Sequence, residues 1–210
     1  VNDRGQLAAM MIAAKAIKES GVKLSGDLVL TMVMGEIGIA PVDEYQGPQY
    51  LGKGVGSFHL VNTGVVADYV LVAERTAFCI TWAEAGDVWL KITVGGQGGL
   101  YTPYIERPKP LHENPSAIVK MAKLVEAIEN WALEYQRRNK YEFAGGTVIP
   151  KVNIAAIRGG LPYKASKTAG VCSIYVDVRL PPGKGPAEAI SELRNLANGL
   201  KMDVKIEPYL

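Results

Sequence analysis

Gly86-Asp87-Val88-Trp89-Leu90-Lys91-Ile92-Thr93-Val94 is the stretch that decides how this chain folds. Val88, Leu90, Ile92 and Val94 alternate with Trp89, Lys91 and Thr93. Successive side chains of a strand point to opposite faces, so this is a strand with one buried face. Upstream, Phe78, Ile80 and Trp82 alternate with Cys79, Thr81 and Ala83, and Gly86-Asp87 supplies a turn. The spacing therefore predicts a β-hairpin. Downstream, Pro115 suits the first turn of a helix running to about Arg138. Ile118, Met121, Val125, Ile128 and Ala132 form its apolar stripe, widened by Leu124, Trp131 and Tyr135. Residues 139–150 read as a loop. Val152–Ile157 and Val171–Leu180 read as strands joined by a loop containing Arg158-Gly159-Gly160. Pro181-Pro182-Gly183 ends the second. A helix to about Asn198, stopped by Gly199, and a strand near 203–207 complete the pattern. From residue 78 the order is β-β-α-β-β-α-β, which predicts a ferredoxin-like α+β antiparallel sheet with helices on one face.

Residues 1–77 have a different texture. Leu7, Met10, Met11, Ala14 and Ile17 make one stripe of a helix over 5–20, and Gly21 stops it. Asp27–Met34 and Asp68–Ala73 are nearly continuous apolar runs, as in strands buried on both faces. Between them lie a Gly- and Pro-containing loop over 35–57 and a short helix over 57–63. This is the rhythm of an α/β sheet. The sequence thus predicts a partial α/β domain over 1–77 and the ferredoxin-like domain over 78–210.

Composition narrows the function. The chain has 210 residues, 23 Lys plus Arg and 21 Asp plus Glu, for a net charge of +2. That balance argues against a nucleic-acid partner held by a basic face. The sequence has no run of ~18 apolar residues, so no membrane-spanning helix is expected. Two cysteines cannot build a disulfide framework, which points to a reduced, cytoplasmic setting. With only His59 and His112 available, metal or acid/base chemistry must lean on carboxylates or be incomplete. The chain begins at Val1 in near-immediate helix and stops at Leu210 just after a strand, so both ends read as cuts through a larger protein.

Two acids follow the buried-type strands directly, Glu36 and Glu74. Ligands of an α/β sheet gather at the carboxyl ends of its strands. Asp3 precedes the first helix, where a loop from a preceding strand would arrive at the same edge. Three carboxylates converging there would suit one or two divalent cations. The plainer reading makes Asp3 a helix N-cap and each Glu a solvated loop residue.

Several segments in order carry a resemblance. They are Asn2-Asp3-Arg4-Gly5-Gln6-Leu7-Ala8-Ala9-Met10, Gly26-Asp27-Leu28-Val29-Leu30-Thr31, and Ala67-Asp68-Tyr69-Val70-Leu71-Val72-Ala73-Glu74-Arg75-Thr76. Lys91-Ile92-Thr93-Val94, Lys151-Val152-Asn153-Ile154, Arg158-Gly159-Gly160 and Asp177-Val178-Arg179-Leu180-Pro181-Pro182-Gly183 follow. Their order and spacing resemble the zinc-dependent deacylase and exopeptidase family, which includes acetylornithine deacetylase, succinyl-diaminopimelate desuccinylase, aminoacylase and glutamate carboxypeptidase. The resemblance spans nearly the whole chain. It implies part of a catalytic domain followed by a lid, or dimerisation, domain. It further implies an N-acyl amino acid or small peptide as substrate, zinc (or cobalt or manganese) as cofactor, and a homodimer formed through the lid.

By the same resemblance Asp3 bridges two metals and Glu74 binds one. Gly35-Glu36-Ile37-Gly38 stands where the family has two adjacent acids, a general base and a metal ligand. An ungapped match makes Glu36 the base and leaves Ile37 at the ligand position. A one-residue slip makes Glu36 the ligand. Either way one acid is missing, with Asp43 or Glu44 as substitutes. The lid loop Gly98-Gly99-Leu100-Tyr101-Thr102-Pro103 lacks the family's histidine. His112 lies further along that loop, as a substitute or as a solvated side chain. The family's remaining imidazole ligands fall outside the matched region, so this chain alone is not expected to bind zinc tightly.

Arg179 has two readings. Ile174, Val176, Val178 and Leu180 share one strand face, and Tyr175, Asp177 and Arg179 share the other. On that open face Arg179 meets either a substrate carboxylate or Asp177. Two functions follow: amide hydrolysis by the larger protein, or a non-catalytic dimerisation module.

Overall fold

The computed structural model describes residues 3–36, 54–74, 76–107 and 109–208. It divides into two compact units, Val1–Thr81 and Trp82–Leu210.

The second unit contains the sheet. Its strands are β1 (Gly86–Gly95), β4 (Val152–Gly159), β5 (Val171–Leu180) and β6 (Val204–Pro208), with a separate two-stranded ribbon of β2 (Tyr141–Phe143) and β3 (Gly146–Val148) before β4. The sheet order is β4-β5-β1-β6, antiparallel at every pairing. Helix α3 (Ala117–Arg138) links β1 to β4, and α4 (Pro186–Gly199) links β5 to β6. This is the ferredoxin-like arrangement expected from the sequence. Leu90, Ile92, Ile174, Val176 and Val178 are essentially inaccessible and pack with Met121, Leu124, Ile128 and Leu193 of the helices. The alternation along β1 and β5 therefore sets which face the helices cover.

Three local expectations are corrected. Residues 78–85 form no strand, and Phe78, Ile80 and Trp82 are exposed. β5 pairs along all of β1 and β6 takes its other side over Leu90–Val94, so the stretch a hairpin partner would need is largely occupied. Ala77 and Phe78 also hold left-handed backbone, which interrupts an extended run. Second, residues 139–150 contain the β2–β3 ribbon, turned at Ala144-Gly145. Third, the buried stripe of α3 runs through Ala117, Met121, Leu124, Ile128, Trp131 and Tyr135, leaving Ile118 exposed. The axis of the stripe is rotated toward the aromatic residues, whose larger apolar area favours burial.

The first unit is described by itself. Helices α1 (Arg4–Ser20) and α2 (Val55–Asn62) form where the sequence predicts them. Gly21 closes α1 in the left-handed conformation. The runs over 27–34 and 68–73 carry no strand ladder among the described residues, and Leu28, Val29, Val70 and Leu71 are exposed. An apolar run becomes a buried strand only when neighbours pair with it on both sides. No residue of α1 is fully buried, and of its stripe Leu7, Met10 and Ala14 are half-buried while Met11 and Ile17 are exposed.

Candidate functional site

Asp3 sits at the start of α1 in the N-cap position, but its side chain caps no backbone N–H. Its Oδ1 is buried and accepts no hydrogen bond among the described residues. Glu36 follows Gly35 and is exposed, and Glu74 is exposed at the end of the 68–73 run. The backbone near Glu36 is pinned by Gly54 N–H donating to Gly35 O at 2.7 Å and Gly56 N–H donating to Met34 O at 3.1 Å. A Cβ on Gly56 would fall 2.5 Å from Met34 O, so this crossing needs glycine. Among the described residues no group of three or more His, Cys, Asp or Glu is arranged to hold a metal ion. Asp3, Glu36 and Glu74 therefore do not form a complete ligand set there. Ile37, Asp43 and Glu44 lie outside the described residues.

Arg179 lies on the face of β5 away from the helices. Its Nε and Nη2 both donate to Asp177 Oδ2, at 3.0 and 2.8 Å. Asp177 Oδ1 is buried and accepts no hydrogen bond among the described residues. The guanidinium is thus held by its same-face neighbour, with Asp177 a built-in counter-charge. The rest of that face is not bare. Tyr175 is buried with Lys91 Nζ 5.7 Å from its ring centre, and Thr93 and Ser173 share a 2.9 Å hydroxyl hydrogen bond across β1 and β5.

His112 lies in the turn Leu111–Glu113, with Nε2 3.5 Å from Glu113 Oε1. The loop that lacks the expected histidine is tied to the β4–β5 connection. Thr168 N–H donates to Leu100 O at 2.9 Å, and Thr102 N–H donates to Ser166 O at 3.1 Å. Lys164 and Lys167 reach the Tyr101 ring, 5.8 and 5.2 Å from its centre. Neither lysine was singled out from sequence, since an ammonium over a ring depends on two loops meeting.

No family model matches the chain. It is 26% identical over 214 residues to N-formyl-4-amino-5-aminomethyl-2-methylpyrimidine deformylase of Bacillus subtilis (strain 168). The sequence likeness is to an amidohydrolase-type enzyme. The match covers 94% of this chain and 43% of that protein, so the chain spans less than half the length of its relative. Among solved structures it is similar to a hydantoinase/carbamoylase family amidase from Burkholderia multivorans, at 18% identity and TM-score 0.43, covering 60% of this chain and 28% of that one. It is also similar to an aminobenzoyl-glutamate utilization protein from Klebsiella pneumoniae, at 9% identity and TM-score 0.39, with 60% and 28% covered. Among the described residues no helix is long and apolar enough to cross a membrane.

Proposed function

We propose that this chain is part of a metal-dependent hydrolase that cleaves the amide of an N-acyl amino acid or small peptide. The observation that carries this reading is the sequence likeness to a deformylase along 94% of the chain. Removing a formyl group from nitrogen is amide hydrolysis, so the relative's name and the family resemblance name the same bond. Glu36 is the general base that takes a proton from the attacking water. Asp3 and Glu74 belong to the ligand set for zinc, and Arg179 orients a substrate carboxylate. The described carboxylates do not complete a metal site, so no chemical step is assigned to the metal.

The test uses the full-length protein that carries this chain, with N-formyl and N-acetyl amino acids as substrates. Glu36→Gln should abolish turnover while the melting temperature and circular dichroism stay unchanged. Retained activity in that variant would sink the assignment. Asp3→Ala and Glu74→Ala should lower bound zinc, and unchanged metal content would remove them from the ligand set.

A second reading is a dimerisation module. Strand β4 is a sheet edge, and Ile157 on it and Ile118 and Leu133 on α3 are exposed. An edge with apolar side chains favours pairing with a second copy. Sedimentation equilibrium decides this, since a strict monomer at high concentration excludes it.

A further inference from the structure

At one end of the ferredoxin-like sheet, β1 stops at Gly95 and β6 starts at Val204, its partner being Val94. The space beyond is a cavity of about 420 Å³ whose wall includes Gly95, Gly96, His112, Lys120, Lys201 and Asp203. That volume falls in the usual range of small-ligand sites, roughly 300–1,000 Å³. All of these residues belong to the second unit.

Lys201 is the residue that needs explaining. Helix α4 ends with Lys201 N–H donating to Asn198 O and Met202 N–H donating to Ala197 O, both at 2.9 Å. This closure places Lys201 in the left-handed region, at φ 57°. Glycine is the ordinary occupant of such a position, because it carries no Cβ. Gly199, the residue that reads as the stop, is the last residue of the helix, and Leu200 is its C-cap. A lysine is held where backbone geometry favours glycine, and the residue lines the cavity. Strained positions of this kind gather at ligand clamps.

Lys120 supplies a second ammonium. It lies near the start of α3, and its Nζ donates to Gly95 O at 3.2 Å. Neither Lys120 nor Lys201 forms an ion pair with an acid among the described residues. His112 adds a ring nitrogen donor or acceptor, and Asp203 is the acid of the wall. Two lysines on the wall of one hollow give it a positive potential, which an anion bound there would offset. Rigid backbone frames the hollow. A Cβ on Gly96 would lie 2.5 Å from Ala117 N and 2.6 Å from Pro115 O, so the strand, the helix start and this loop meet without slack.

We propose that this cavity binds a small anion, a carboxylate or a phosphate, held by Lys120 and Lys201. The site is separate from Asp3, Glu36 and Glu74 and does not depend on the hydrolase reading.

The experiment titrates the 210-residue chain at low salt, by calorimetry, with inorganic phosphate, with succinate and with neutral succinamide. Saturable binding of at least one anion is expected, with none for succinamide. Phosphate alone identifies a phosphate-bearing ligand, succinate alone a carboxylate, and both a general anion site. Lys201→Gly should weaken binding by about tenfold, a loss expected for removing one charged contact. Its melting temperature should hold or rise, because glycine suits the left-handed position. Asp203→Asn should tighten binding about threefold by removing the opposing charge. Absence of saturable binding by either anion would overturn the site, as would equal binding by Lys201→Gly or by succinamide. A lower melting temperature in Lys201→Gly would overturn the strain argument, and Lys120→Gln then tests the charge requirement alone.

Discussion

Trp131 Nε1 donates a 2.7 Å hydrogen bond to Glu192 Oε2, joining the two helices that cover the sheet. Arg138 Nη2 donates to the same oxygen at 2.8 Å, so one carboxylate serves both an indole and a guanidinium. The Arg138 hydrogen bond holds the Glu192 carboxyl below its ordinary value of 4.5, with Trp131 adding to the effect and burial opposing it. A carboxyl depressed in the folded state contributes stability above its unfolded value, and that contribution is lost as pH falls through the folded one. The variant Glu192→Gln should therefore cost about 1–2 kcal/mol at neutral pH, a figure at the lower end for charge-assisted bonds because Arg138 is partly exposed. The difference from wild type should shrink below about pH 4. Urea unfolding at pH 7 and pH 3.5 measures both.

Two neighbouring glycines should behave in opposite ways. A Cβ on Gly96 would meet Ala117 N, Pro115 O and Ala169 O, all within 2.8 Å, whereas a Cβ on Gly95 meets nothing within 4 Å. The clashing atoms are backbone and cannot step aside as a flexible side chain would. Gly96→Ala should destabilise by about 2–3 kcal/mol, in the range of overpacking, and Gly95→Ala by less than about 0.5 kcal/mol. Thermal melting of both variants makes the comparison.

Legibility in the sequence followed pairing. The β5 pattern Ile174, Val176, Val178 and Leu180 gave the buried face because strand period and burial coincide there. The same logic failed at Phe78, Ile80 and Trp82. Alternation shows which face a strand would bury but not whether a partner edge is open, and β6 holds Leu90–Val94 of β1 where a hairpin partner would lie. The ribbon around Ala144-Gly145 carried a readable turn between Tyr141-Glu142-Phe143 and Thr147-Val148, yet its strands are too short for periodicity to register. At the candidate site, Asp3, Glu36 and Glu74 were legible only as acids near element ends. Lys201 was hidden because its backbone angle, not its residue type, marks it.

The pairing of Arg179 with Asp177 can be measured apart from any catalytic role. Both nitrogens bind one carboxylate oxygen, and both side chains are partly exposed. A double-mutant cycle of Arg179→Gln and Asp177→Asn should give a coupling of about 0.5–1 kcal/mol in stability, as for pairs with solvent access. On the proposed amide hydrolysis, Arg179→Gln in the full-length protein should also raise KM for a carboxylate substrate more than it lowers kcat. An unchanged KM would leave Arg179 with the structural pairing alone.

The two thiols should separate by reactivity. Cys79 is exposed, and Cys172 is buried beneath α3, where burial pushes its thiol up and disfavours the reactive thiolate. The chain around Cys172 is tight, since a Cβ on Gly159 would lie 2.9 Å from its Sγ. A reagent must therefore wait for the β4–β5 pairing to open before it reaches that sulfur. Titration of the native chain with an aromatic disulfide should release about one equivalent promptly, with the second appearing only in denaturant. Cys79→Ser should remove the prompt equivalent and leave the melting temperature unchanged. Prompt reaction of both thiols in the native chain would show that the β4 edge opens readily, and would contradict the packing of Cys172 in the core.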